Sequence, residues 1–153
     1  MHRAKQAGGG QAAFFEQGMG EAAEQRFRVE RELRHAIGAG ELRLHLQSQV
    51  DVSGQVTGAE VLVRWQHPRD GLVAPGVFIP VAEESDLIVS LGEWVLAHAC
   101  ALLAQPVFRE RRLRLSVNLS ARQFRQAGFV GQLRAVLAAT GADPRLLTLE
   151  VTE

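Results

Sequence analysis

The chain has 153 residues, 46% of them apolar, enough for one modest domain with a packed core. Seventeen basic residues balance seventeen acidic ones, so no overall field draws the chain to nucleic acid or to an anionic membrane. No stretch resembles a signal peptide or a membrane span, so the chain reads as cytoplasmic, with a membrane anchor left open for a larger parent protein.

Residues 1–20, "MHRAKQAGGGQAAFFEQGMG", read as a tail and linker, because Gly8-Gly9-Gly10 is expected to break any helix. Residues 21–40 read as a linker helix. Ala22, Ala23, Phe27, Leu33, Ala36 and Ile37 have helical spacing, and Gly38 and Gly40 are stop signals. Next, "ELRLHLQSQV" alternates, with Leu42, Leu44 and Leu46 on one face and Arg43, His45 and Gln47 on the other. A "DVSGQ" turn and the returning strand "VTGAEVLVRW" complete an antiparallel hairpin.

The stretch "QHPRDGLVAPGVFIP" carries Pro68, Gly71, Pro75, Gly76 and Pro80 and reads as a loop. Two helices are expected between Ala82 and Gln105, divided near Ser85-Asp86. The lone Cys100 in the second is read as a small buried hydrophobe. A strand "RLRLSVNLS", a helix over Ala121–Thr140 closed by Gly141, and a last strand "RLLTLEVTE" follow. The order strand, strand, helix, strand, helix, strand is that of an α/β barrel or an open doubly wound sheet.

Polar residues share one face of each strand. Leu113, Leu115 and Val117 oppose Arg114, Ser116 and Asn118, and Leu147, Leu149 and Val151 oppose Thr148, Glu150 and Thr152. Glu60 and Arg64 lie four residues apart inside an apolar strand and so share a face. In an α/β barrel, ligand groups come from the C-terminal ends of several strands. Gln47, Glu60, Asn118 and Glu150, all read as late in their strands, could therefore converge on one rim. Two carboxylates and an amide oxygen suit Mg²⁺ or Mn²⁺, and the Arg64 fork suits a phosphate. Structural roles stand beside these: a Glu60–Arg64 ion pair, an Asn118 that satisfies backbone groups, and a solvated Glu150.

"AEVLVRW" resembles the signature strand of the EAL-domain family, bacterial phosphodiesterases for cyclic di-GMP, with Val61 where Ala is usual. "HLQSQVD", "RWQHPRDGLVAPGVFIPVAEESDLI", "LGEWVLAHAC", "LSVNLSARQF" and "LLTLEVTE" extend the resemblance in order from Glu41 to Glu153. Leu46, Ser48 and Asp86 depart from the family's more usual Tyr, Pro and Gly. "MHRAKQAGGG" resembles the closing helix of a GGDEF domain.

The resemblance implies a variant (β/α)8 barrel of TIM type with an antiparallel first strand, represented by the N-terminal half of the domain in residues 41–153 and truncated after about half the barrel. It implies metal-dependent hydrolysis of cyclic di-GMP to pGpG. Glu60, Asn118 and Glu150 are then metal ligands, with Glu60 central to catalysis. Gln47 and Arg64 contact substrate, and Glu153 supports a loop. The family's Asp-Asp-Phe-Gly segment, its Lys and a later Glu are absent from these 153 residues, so the chain by itself is expected to be inactive. The implied partners are the remainder of the EAL domain, an upstream GGDEF domain, and a second copy through unpaired strand edges. Two alternatives stay open: a non-catalytic cyclic di-GMP receptor and a protein-interaction module.

Overall fold

A computed structural model describes residues 6–152. Helix α1 spans Gln6–Ala39 and runs unbroken through the glycine tract, contrary to the expectation from sequence. Each glycine costs about 1 kcal/mol of helix propensity relative to alanine, which is a penalty and not a veto. The helix also crosses the boundary drawn at residue 20, while residues 1–5 lie outside the described residues. It ends where Gly40 takes a left-handed φ of 70°. Its buried stripe is Val29, Leu33 and Ala36, at helical spacing. Phe27, expected on that stripe, is 67% exposed. Two residues are about 200° around a helix, so burying Val29 turns Phe27 outward.

Strands β1 (Leu42–Val50) and β2 (Val56–His67) form the expected antiparallel hairpin. Asp51 organises its turn. The carboxylate accepts from the Ser53 hydroxyl at 2.6 Å, the Ser53 amide at 2.8 Å and the Gln55 amide at 3.0 Å. These bonds, the Ser53 hydroxyl first, hold the Asp51 carboxyl below its ordinary pKa.

The stretch read as a loop is mostly ordered structure. Strand β3 (Gly71–Val73) folds back on the end of β2. The buried His67 accepts the Arg69 and Asp70 amides on Nδ1 at 3.2 and 3.1 Å, which closes that turn. Helix α2 (Pro75–Glu84) then starts seven residues earlier than the sequence suggests. Pro75 sits in its first turn, where a missing N–H costs nothing. Pro80 is tolerated inside a helix anchored by the fully buried Phe78 and Ala82.

Helix α3 (Leu87–Leu103) is separated from α2 at Ser85-Asp86, as read. A short α4 (Pro106–Arg111) was not foreseen. Strand β4 (Arg114–Ser120) follows. The single helix expected over 121–140 is two, α5 (Ala121–Phe124) and α6 (Phe129–Thr140), parted where Gly128 adopts φ of 87°. A 3-10 turn (Pro144–Leu146) leads into β5 (Leu147–Thr152).

The sheet order is β1-β2-β4-β5, with β3 attached to β2. Strands β2, β4 and β5 are parallel, and β1 alone on that path runs against them. One face carries Val61, Trp65, Leu115, Val117 and Leu119, all buried, in a core shared with Leu87, Ile88, Leu91, Val95 and Leu96 of α3. Cys100 is fully buried there, and desolvation raises its thiol pKa, as expected of an inert core residue. No helix among the described residues is long and apolar enough to cross a membrane.

Candidate functional site

The face turned away from the helices is polar, and the alternation of each strand accounts for it. In β2, Val61 and Trp65 enter the core, so Glu60 and Arg64 point to the other side. In β4, Leu115, Val117 and Leu119 are buried, which turns Asn118 outward.

Register then brings the expected residues together. Gln47 is paired with Glu60, Glu60 with Ser116, and Asn118 with Glu150. Neighbouring strands lie about 4.8 Å apart, so Gln47, Glu60 and Ser116 are level with one another, and the Asn118–Glu150 pair follows two residues further along on the same face. Asn118 Nδ2 donates to Glu60 Oε1 at 2.7 Å. Glu60 and Arg64 form no ion pair with each other, which removes the structural reading of "AEVLVRW". Four residues of strand separate their backbones by about 13 Å, and Arg64 Nη1 instead donates to the Val63 carbonyl at 2.9 Å.

Gln47 reaches this group by a route the sequence reading did not anticipate. It lies late in β1, but β1 runs opposite to β2, so lateness carries it away from the C-terminal rim. It is the register, and not the strand end, that sets it beside Glu60. At the rim itself β1 contributes Arg43, paired with Arg64. Glu60 is likewise the fifth of twelve residues in β2 and not near its end.

Past the ends of β2 and β4, against helices α2 and α3, is a cleft of about 200 Å³ that Asn118 alone among Gln47, Glu60, Asn118 and Glu150 lines. Arg64, Glu83, Asn118 and Ser120 line it together with Ile79 and Leu91. Its walls are mainly apolar and its few polar groups converge at the strand ends, the usual composition of a small-molecule site.

The donor set fits a hard divalent cation. Glu60 and Glu150 would supply carboxylates and Asn118 its amide oxygen, three of about six oxygens that Mg²⁺ or Mn²⁺ takes. Among the described residues no group of three or more His, Cys, Asp or Glu side chains forms a metal cluster. Glu153 lies outside the described residues.

Two residues near this group escaped the sequence reading. Ser120 caps α5 by accepting the Gln123 amide at 3.1 Å. Arg122 binds the carbonyls at the end of α2. The signal for the cap was present, since Ser120-x-x-Gln123 has the form of a capping box. Arg122 had no such signal, because its partners are 36 to 39 residues away.

Comparison with known proteins bears on this arrangement. The family model described as "EAL domain" matches residues 30–153. MucR of Pseudomonas aeruginosa, a bifunctional diguanylate cyclase/cyclic di-GMP phosphodiesterase, is 40% identical over 163 aligned residues that take in the whole chain. NbdA of Pseudomonas aeruginosa, a cyclic di-GMP phosphodiesterase, is 37% identical, again over the whole chain. Among solved structures, the phosphodiesterase PaMucR in complex with c-di-GMP superposes with a TM-score of 0.77 and 41% identity over 82% of this chain. The chain spans 23% and 20% of the two curated relatives' lengths and 52% of that solved chain.

Proposed function

Because the chain belongs to the EAL domain family, we propose that it supplies one side of a cyclic di-GMP site built for metal-assisted hydrolysis of a phosphodiester to pGpG. Glu60, Asn118 and Glu150 carry this reading: two carboxylates and an amide on one face of adjacent strands, with Asn118 hydrogen-bonded to Glu60 at 2.7 Å and paired in register with Glu150. The relatives with this activity match the chain along its full length.

EAL phosphodiesterases are in general divalent-metal dependent, and Mg²⁺ or Mn²⁺ bound here would lower the pKa of water and neutralise charge on phosphoryl oxygens. Glu60 and Glu150 would hold the cation, with the Asn118 amide oxygen as a third donor. Arg64, in the wall of the cleft, pairs with a phosphate through its planar fork. Gln47 offers an amide to the substrate from the facing strand. The remainder of the EAL domain supplies the other side of the site. The name of MucR as a bifunctional cyclase and phosphodiesterase supports a diguanylate cyclase module beside the EAL domain in the parent protein.

Isothermal titration of the purified chain with cyclic di-GMP, with and without Mg²⁺, tests the proposal. We expect weak binding that Mg²⁺ strengthens and Arg64→Ala abolishes, with no pGpG released. Failure of a folded chain to bind at millimolar nucleotide would favour the interaction-module reading instead. Binding indifferent to both Mg²⁺ and Glu60→Gln would favour a receptor without chemistry.

A further inference from the structure

Asn118 sits two residues before the end of β4, and the four-residue helix α5 begins directly after Ser120. So short a helix has no stability of its own, so its position must be set by its contacts. Two side chains supply them. Arg122 Nη1 donates to the Glu83 carbonyl at 3.0 Å and the Ser85 carbonyl at 3.4 Å, and its Nη2 is paired with Asp86. These carbonyls close the C-terminal end of α2, where helical C=O groups lack partners and the helix dipole favours a cation. Ser85 Oγ donates to two more, those of Val81 and Ala82.

Gln123 anchors the other side. It is 3% exposed, and its amide lies flat on Gly92 in the middle of α3, so close that a Cβ there would occupy the same space. Its Nε2 has no hydrogen-bond partner. An amide buried with an idle donor is costly to keep and forgoes the reciprocal capping-box bond to Ser120. What it gains is contact: α5 is wedged between α2 and α3, and the end of β4 is fixed with it.

Resting on the proposed function above, we propose that Arg122 and Gln123 are positioning residues for Asn118, setting the amide against Glu60 so that their oxygens face one cation. Stability alone does not account for the clamp. The Arg122 and Asp86 side chains are 47% and 89% exposed, and exposed ion pairs contribute little to folding. Asp86 is also the residue that departs from the more usual Gly.

Asn118 is the sole asparagine in the chain, so labelling with ¹⁵N-asparagine gives one side-chain NH₂ pair. In the unaltered chain, free of metal and nucleotide, the proton donated to Glu60 should be shifted well downfield of its twin, and Glu60→Gln should shrink the splitting. We expect Arg122→Gln to collapse the splitting toward that of a free amide while the melting temperature moves little. Arg122→Lys keeps the charge but not the fork and should collapse it in part. Gln123→Leu should do the same as Arg122→Gln, in a residue of similar bulk. Magic-angle spinning reads the same pair from sedimented protein, so self-association does not remove the signal.

An unchanged NH₂ pair in both Arg122→Gln and Gln123→Leu would overturn the proposal. So would a collapse seen only together with loss of the cooperative melt, in the Lys variant as well, since that describes a structural clamp alone. Because no nucleotide is present, this outcome is independent of whether the chain binds cyclic di-GMP.

Discussion

Glu60 illustrates how much one residue's chemistry can be read from its neighbours in sequence. A carboxylate between Ala59 and Val61 in an apolar strand had to face away from the core, and it does. Its partner could not be read, because Asn118 is 58 residues distant and only register unites them. Replacing Glu60 by Gln keeps the shape and removes a ligand charge. We expect Mn²⁺ affinity, followed by electron paramagnetic resonance, to fall by about tenfold or more. Unfolding free energy should change by less than about 1 kcal/mol, since surface changes of this kind are small. A second residue-scale effect concerns pH. The folded Asp51 carboxyl titrates below its ordinary value of 3.8. Its contribution to stability is therefore complete above that value and is lost as pH falls through the lower folded one. Melting curves between roughly pH 5 and 2 should show this loss, and Asp51→Asn should lack that component of the acid dependence.

At the scale of elements, alternation in the strands was legible, and so was the hairpin, since both depend on residues close in sequence. Helix limits were less so. Pro75 and Gly76 look like breakers until Phe78 and Ala82 are seen buried beneath them. The split between α5 and α6 turns on the conformation of Gly128, which composition does not reveal. The tight contact between β2 and β4 was equally hidden. Gly58 is paired with Arg114, and an added methyl would be driven into the Arg114 carbonyl oxygen, which is backbone and cannot swing aside. We expect Gly58→Ala to destabilise the chain by about 1–3 kcal/mol, as overpacking does, measured by urea denaturation. The same change at Gly54, where φ is 81° and nothing lies nearby, should act only through backbone strain.

For the whole molecule, the family resemblance conveyed the barrel, which short-range pattern alone left open against an open sheet, while the antiparallel β1 was already legible in the hairpin. Among the described residues β5 pairs only with β4, and its other edge carries unpaired backbone beside the exposed Val151. Such edges favour association. We expect the chain expressed alone to sediment as dimers or larger species at micromolar concentration, and to release no pGpG from cyclic di-GMP. A monomer with a sharp melt would contradict the first expectation, and turnover abolished by Glu60→Ala the second.

The reversed direction of β1 has a mechanical corollary. Because β1 runs against β2, its first residue, Leu42, is paired with Trp65, past Arg64 toward the end of β2. Helix α1 therefore ends at the rim where Arg64 lines the cleft, its path fastened there by Trp65 Nε1 to Glu41 at 3.0 Å and the Gln66 amide to the Glu41 carbonyl at 2.7 Å. At 1.5 Å per residue its 34 residues make a rod of about 50 Å. Such a rod acts as a drive shaft with a fixed phase. Inserting one residue in its outer half would turn anything attached at the far end by about 100°, whereas inserting seven would nearly restore the phase.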